Sequence, residues 1–229
     1  MAKEKVFSVF GLGTFGFQVC SVLADKGAKV IAVDNQARLV EKIKDHVTQA
    51  IVMDTTDEEL LKTLPLDDID VAVVAIGDNI EASILTTALL KKLGIPYIIA
   101  RAVSPIHSQV LKQVGATEVI NIEIEEGKRT ANKLIAPFVL DTIPLSQNQS
   151  LAEVRVSKKF IGKSLAKLDL RKKYNVNVVS IKRFQTSIDE VGNPVKNEIA
   201  LFPKPTDILK ENDILVIIGG EKDIEQLKE

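Results

Sequence analysis

The sequence predicts an α/β fold, a doubly wound parallel sheet followed by a smaller α+β C-terminal lobe. Three observations carry that expectation. Short apolar runs alternate with amphipathic helical segments through the first 120 residues. A glycine-rich turn joins the first run to the first helical segment, and past residue 150 the alternation gives way to a strand-rich pattern.

The strand candidates of the first part are Val6–Phe10, Lys29–Val33, Gln49–Met53, Asp70–Ala75, Tyr97–Arg101 and Glu118–Ile122. Most are continuously apolar, as strands covered on both faces are. Between them the period changes. Phe15, Val19, Val22 and Leu23 fall on one helical face, as do Ile80, Ile84, Thr87 and Ala88, and then Ile106, Val110 and Val114. Strict β/α alternation predicts a parallel sheet with helices on both faces. Glu125–Val139 reads as a longer helix, stopped by Pro144 and the polar run Ser146–Ser150, the best linker in the chain. Beyond it Leu151–Val156, Val176–Arg183, Glu198–Phe202 and Ile214–Ile218 read as strands. One helix is expected at Ser164–Tyr174 and a loop at Gly192-Asn193-Pro194.

Bulk composition narrows the function classes. Of 229 residues, 45% are hydrophobic and 27% charged, enough for a packed core without a disulfide or metal. The single cysteine, Cys20, cannot pair within the chain, so a reducing, intracellular home is expected. No apolar run approaches the roughly 18 residues a membrane span requires, and the first strand begins too early for a secretory signal. Any relation to a membrane is then expected through a partner. With 30 Lys+Arg against 31 Asp+Glu, the chain lacks the basic excess of a nucleic-acid binder, and Arg171–Lys173 reads as a solvated helix face.

The turn Gly11-Leu12-Gly13-Thr14-Phe15-Gly16 is a G-x-G-x-x-G motif between a strand and a helix. Alone the motif is weak. In this context the first glycine permits the turn, the second lets the backbone approach a pyrophosphate, and the third lets the helix pack on the sheet. The helix N-terminus presents free N–H groups to phosphates. Asp34 ends the second strand 18 residues after Gly16, near the usual separation of about 20 for a carboxylate that accepts ribose hydroxyls. The reading is a Rossmann-type domain for an adenine nucleotide, with a ribose 2′-phosphate disfavoured by the acid. Asn35, Asp54, Thr55, Ile76, Gly77, Asp78 and Arg101 stand at or beside successive strand ends, where such ligands lie, with Arg101 suited to phosphate oxygens.

Catalytic groups are harder to find. The histidines are His46, in a polar stretch, and His107, beside Pro105, and neither is placed as a proton carrier next to a nicotinamide. A Tyr with a Lys four residues on is missing, since Tyr97 is followed by Arg101 and Tyr174 by Val178 at that spacing. H-E-x-x-H, C-x-x-C, G-x-S-x-G and a Walker loop are also missing. Binding without turnover is expected. An NAD-dependent oxidoreductase is the alternative, and a nucleotide-binding module for an unrelated partner is a third.

The glycine motif with its Val9-Phe10 lead-in, Ala32-Val33-Asp34, Ala75-Ile76-Gly77-Asp78-Asn79, Ala82-Ser83-Ile84-Leu85-Thr86-Thr87 and Val114-Gly115-Ala116 together resemble the regulator-of-potassium-conductance (RCK, or KTN) family. Leu168-Asp169-Leu170-Arg171-Lys172-Lys173-Tyr174, Val179-Ser180-Ile181-Lys182-Arg183 and Glu211-Asn212-Asp213-Ile214-Leu215 extend the likeness over nearly the whole chain. The pattern is most similar to Ktr-type cytosolic subunits of bacterial Ktr and Trk potassium uptake systems. The resemblance implies an N-lobe over 1–123, a crossover helix and linker over 124–148 and a C-lobe over 149–229. It implies ATP or ADP, or in Trk-type members NAD or NADH, held by Gly11, Gly13, Thr14, Phe15, Gly16, Asp34, Asp54 and Arg101. Glu123 would share a divalent cation, and Ser104–Val114 would form a subunit contact. N-lobe dimers would assemble into an eight-membered ring beneath a membrane-embedded potassium transporter subunit, at the inner face of the cell membrane. Cyclic di-AMP would meet Val178, Val179, Arg183 and Pro203 in the C-lobe; strand packing plus a surface arginine is the alternative for those four. Two departures stand out. Thr14 occupies the position of an arginine that reaches the terminal phosphate, and Gln185–Ile199 resembles an insertion in the C-lobe hairpin.

Overall fold

A computed structural model of the chain describes residues 4–188 and 194–228. The chain divides into two units, Met1–Glu125 and Glu126–Glu229. In the first, β1 (Val6–Phe10), β2 (Lys29–Asp34), β3 (Gln49–Val52), β4 (Ile69–Val74), β5 (Ile98–Arg101) and β6 (Glu118–Ile120) form a sheet in the order β3-β2-β1-β4-β5-β6. Every pairing is parallel. The intervening helices are α1 (Thr14–Asp25), α2 (Ala37–Ile43), α3 (Glu58–Leu61), α4 (Ile80–Lys92) and α5 (Pro105–Gln113). The sheet is the expected doubly wound one, and its order reverses between β1 and β4, where open α/β sheets leave a crevice at their carboxyl ends.

The apolar runs of the sequence are explained by the two faces of this sheet. Phe10, Val33 and Val74 enter one cluster with Leu90 and Ile98. Their chain neighbours Val9, Ala32 and Val73 enter another with Cys20 and Ile43. Side chains two apart share a face, so a strand buried on both sides must be apolar at every position. Cys20 is fully buried on α1, and desolvation pushes its thiol up to about 12.

Helix α6 (Ile122–Ile135) follows β6 directly, three residues earlier than the sequence pattern suggests. The second unit holds β7 (Val139–Ser146), β8 (Gln149–Arg155), β9 (Asn177–Ile188), β10 (Pro194–Leu201) and β11 (Ile214–Gly219), an antiparallel sheet in the order β10-β9-β11-β8-β7. Short helices α7 (Leu165–Leu168), α8 (Leu170–Tyr174) and α9 (Glu221–Glu225) complete it. Its core gathers Val154, Phe160, Leu168, Val176, Ile181, Leu215 and Ile217. The rings of Phe160 and Tyr174 pack edge to face at 5.7 Å.

Three expectations are corrected. Residues 139–148 are not linker: β7 pairs with β8 in a hairpin, and the polar Ser146–Ser150 run is its turn and the first residues of β8. The helix at Ser164–Tyr174 is broken at Asp169, whose left-handed backbone (φ 47°) ends α7 and begins α8. The strand expected to end at Arg183 continues to Ile188, opposite Pro194 of β10. Part of the expected insertion is therefore paired strand; Gly192 and Asn193 of the expected loop lie outside the described residues.

Candidate nucleotide-binding cleft

The carboxyl ends of β1, β2, β4 and β5 open on a cleft of about 640 Å³. Its construction begins at Gly11, whose backbone turns sharply through φ +95° while its N–H donates to the Val33 carbonyl. That conformation favours glycine, and a Cβ there would meet the Ile76 backbone at 3.1 Å. Gly16 is required for a different reason: a Cβ would stand 1.9 Å from the Gly11 carbonyl oxygen, so the first turn of α1 could not close under the loop. Gly13 is the opposite case. Its φ of −61° suits any residue, and a Cβ would meet nothing within 4 Å. The fold leaves Gly13 bare toward open cleft. No side chain caps α1 after it, and its first turn carries no acid, so the first N–H groups are free to face an anion.

Asp34 closes the loop from β2. Its carboxylate accepts from the Leu12 N–H at 2.6 Å and from the Gln36 N–H at 2.8 Å, and the residue is buried yet lines the cleft. Each carboxylate oxygen can accept more than one hydrogen bond, so a ribose hydroxyl can be added to these two. Asp54 accepts from the Thr56 N–H and hydroxyl, bonds that hold its carboxyl below the usual range. The Thr55 hydroxyl is tied to that of Thr86 at 2.7 Å. At the far wall Arg101 forms an ion pair with Glu123, whose carboxyl is held down by the hydrogen bond from that guanidinium.

Of the residues singled out from sequence, Gly11, Gly13, Asp34, Asn35, Asp54, Thr55, Ile76, Gly77, Asp78, Arg101 and Glu123 all line this one cleft. Thr14 and Phe15 do not: Thr14 is exposed, and Phe15 packs into the cluster beneath α1. Gly16 lies buried below the loop. Sequence reasoning missed Leu39, Met53 and Val103, apolar lining residues whose types carry no motif, and gave no site role to Ala82, which also lines the cleft. Neither histidine is in the cleft lining. His107 is buried and accepts from the Val103 N–H through Nδ1, and desolvation lowers its pKa from the ordinary imidazole value, as for a packing residue. Among the described residues no group of three or more His, Cys, Asp or Glu side chains could hold a metal ion.

The C-lobe residues are less well gathered. Val178 and Pro203 line a groove of about 290 Å³ with Arg171 and Asn177, while Val179 is exposed elsewhere. Arg183 is held by an acid of its own lobe. Its Nε and Nη2 donate to the two oxygens of buried Asp213 at 2.8 and 2.6 Å, and Nη2 also reaches the Ile208 carbonyl. No helix among the described residues is long and apolar enough to cross a membrane.

Comparison with known proteins accounts for both units. The TrkA-N domain family matches residues 7–122 and the TrkA-C domain family residues 151–229. The chain is 36% identical over 225 residues to Ktr system potassium uptake protein C of Bacillus subtilis, covering 98% of this chain and 96% of that protein. It is 37% identical over 226 residues to Ktr system potassium uptake protein A of the same organism, covering 99% and 96%. Among solved structures, the GsuK channel bound to NAD has the same fold with a TM-score of 0.63 at 16% identity, covering 99% of this chain and 39% of that one. With its doubly wound N-lobe, antiparallel C-lobe and full-length likeness to both Bacillus proteins, the chain belongs to the TrkA-N/TrkA-C family of Ktr-type RCK potassium uptake proteins.

Proposed function

We propose that this chain is a non-catalytic regulatory subunit of a membrane potassium-uptake system, and that an adenine nucleotide in the N-lobe cleft is the signal it reads. The observation that carries the reading is the uncapped N-terminus of α1 above a glycine, Gly13, that the fold itself does not need. Phosphates fit there, ribose at Asp34, and the adenine end beside Asp54 and Thr55. ATP and ADP are the leading ligands, with NAD and NADH as the other pair; the NAD-bound GsuK channel shares the fold. A cation at Glu123 would draw its remaining ligands from the nucleotide's phosphates or from a second copy of the chain. For cyclic di-AMP the groove at Val178 and Pro203 is the candidate, without Arg183 as its phosphate contact.

In this reading the subunit works in the cytoplasm at the inner face of the membrane. N-lobes pair, the pairs assemble into a ring, and the ring acts on a membrane-embedded potassium transporter subunit. Names of full-length relatives support the transport role. Gating requires that the nucleotide bind two arrangements of the ring with different affinity.

Gly13→Ala tests the site. The added methyl would meet no protein atom within 4 Å, so the unliganded melting temperature is expected to stay within a degree or two of the parent. The rise in melting temperature with ATP, ADP, NAD or NADH is expected to vanish, because the methyl occupies the space of the pyrophosphate. An unchanged ligand response would place the nucleotide elsewhere. Sustained NADH oxidation with a small carbonyl substrate would favour the oxidoreductase reading instead.

A further inference from the structure

Arg101 ends β5, Glu123 lies in the first turn of α6, and both side chains line the nucleotide cleft, where they meet as an ion pair. The arginine is held on a second side. A Cβ on Gly77 would come 2.5 Å from Arg101 Nη1, so the guanidinium lies against the bare backbone that follows β4. Its Nε is buried and has no hydrogen-bond partner among the described residues. A guanidinium offers five donors in a planar fork matched to carboxylate and phosphate alike. Here one N–H, on Nη2, is committed to a carboxylate, the guanidinium rests on Gly77, and the buried Nε has no partner among the described residues.

We propose that Glu123 is an internal competitor for Arg101, its carboxylate taking the part of a ligand phosphate until a nucleotide displaces it. The inference rests on the nucleotide reading of the cleft. Glu123 is the natural member to leave, because its side chain is 55% exposed while that of Arg101 is 22% exposed and packed on Gly77. A phosphate at Arg101 can take the Nη2 donor that Glu123 holds and add Nη donors that the single hydrogen bond to the carboxylate leaves unpaired. The released carboxylate then stands beside bound phosphates, ready for a cation or for a donor from another subunit. Ligands without a phosphate leave the pair intact.

The test is isothermal titration of the full chain with ADP and with adenosine, in chelator so that no divalent cation contributes. Glu123→Gln is expected to tighten ADP by about threefold to fivefold, the range for removing a partly exposed ion pair. Adenosine affinity is expected not to change. Arg101→Gln should weaken ADP, and adding Glu123→Gln to it should bring no gain, since no guanidinium remains to compete for. The proposal is overturned if Glu123→Gln fails to tighten ADP, or if it tightens ADP equally with Arg101 replaced, which would be simple charge repulsion. A wild-type chain that binds ADP, and loses it with Gly13→Ala, leaves the nucleotide site standing whatever Glu123 does. Absence of ADP binding to the wild type would remove both.

Discussion

Asp34 shows how a site residue can be legible for its type while its full duty stays hidden. Its place at the end of the second strand marks it as a ribose ligand. The structure adds that its two oxygens hold the N–H groups of Leu12 and Gln36, so the same carboxylate shapes the glycine loop. Asp34→Ala is therefore expected to destabilise the unliganded chain by about 1–3 kcal/mol, the cost of leaving the buried Leu12 N–H unpaired. Chemical denaturation of the ligand-free protein checks this, with Gly13→Ala as the neutral control. Loss of nucleotide binding in Asp34→Ala alone would thus conflate loop and ligand. The pair of Arg101 with Glu123 was hidden for another reason. Each residue was marked by its strand end or by family likeness, but 22 positions separate them, and only the parallel register of β5 and β6 brings them together.

At the scale of elements, legibility follows burial. Strands of the first sheet are covered on both faces and announce themselves as apolar runs. β7 is half exposed along its length, with Ile143 and Leu145 more than half accessible, so its sequence shows neither a continuous run nor clean alternation. Pro144 and the serines around it then read as linker. The break at Asp169 was equally silent, because a single left-handed residue leaves the helical spacing of its neighbours nearly intact. The C-lobe hairpin has its own fixed point in Asp213, which is buried and accepts from Arg183 and from the Lys210 N–H. Asp213→Ala would strand a half-buried guanidinium, and destabilisation of this lobe by about 3–5 kcal/mol is expected in a denaturant melt. Were Arg183 instead a free ligand arm, that substitution would cost little.

For the whole molecule the decisive fact is that each unit has a core of its own. Among the described residues, no buried member of the C-lobe cluster belongs to either cluster flanking the parallel sheet. Two unfolding transitions are expected by scanning calorimetry, and ADP should raise only the one belonging to the N-lobe. At a hundredfold excess over Kd the linkage amounts to about 2.7 kcal/mol. A single transition that moves as one with ligand would show instead that the lobes unfold together. The sequence foretold two units, but placed a linker where the second unit has already begun, because half-exposed strands and polar turns share a composition.

Cys20 has a practical consequence beyond packing. With its sulfur buried in α1 and its thiol pushed up to about 12, almost no thiolate exists at neutral pH to react with an electrophile. To maleimide and iodoacetamide reagents the folded protein is expected to behave as though it had no cysteine. A cysteine introduced at exposed Gln18 on α1, or at exposed Lys167 on α7, would be the sole site of labelling. A fluorophore at either position would then report the response of one lobe at a time, in the otherwise native chain.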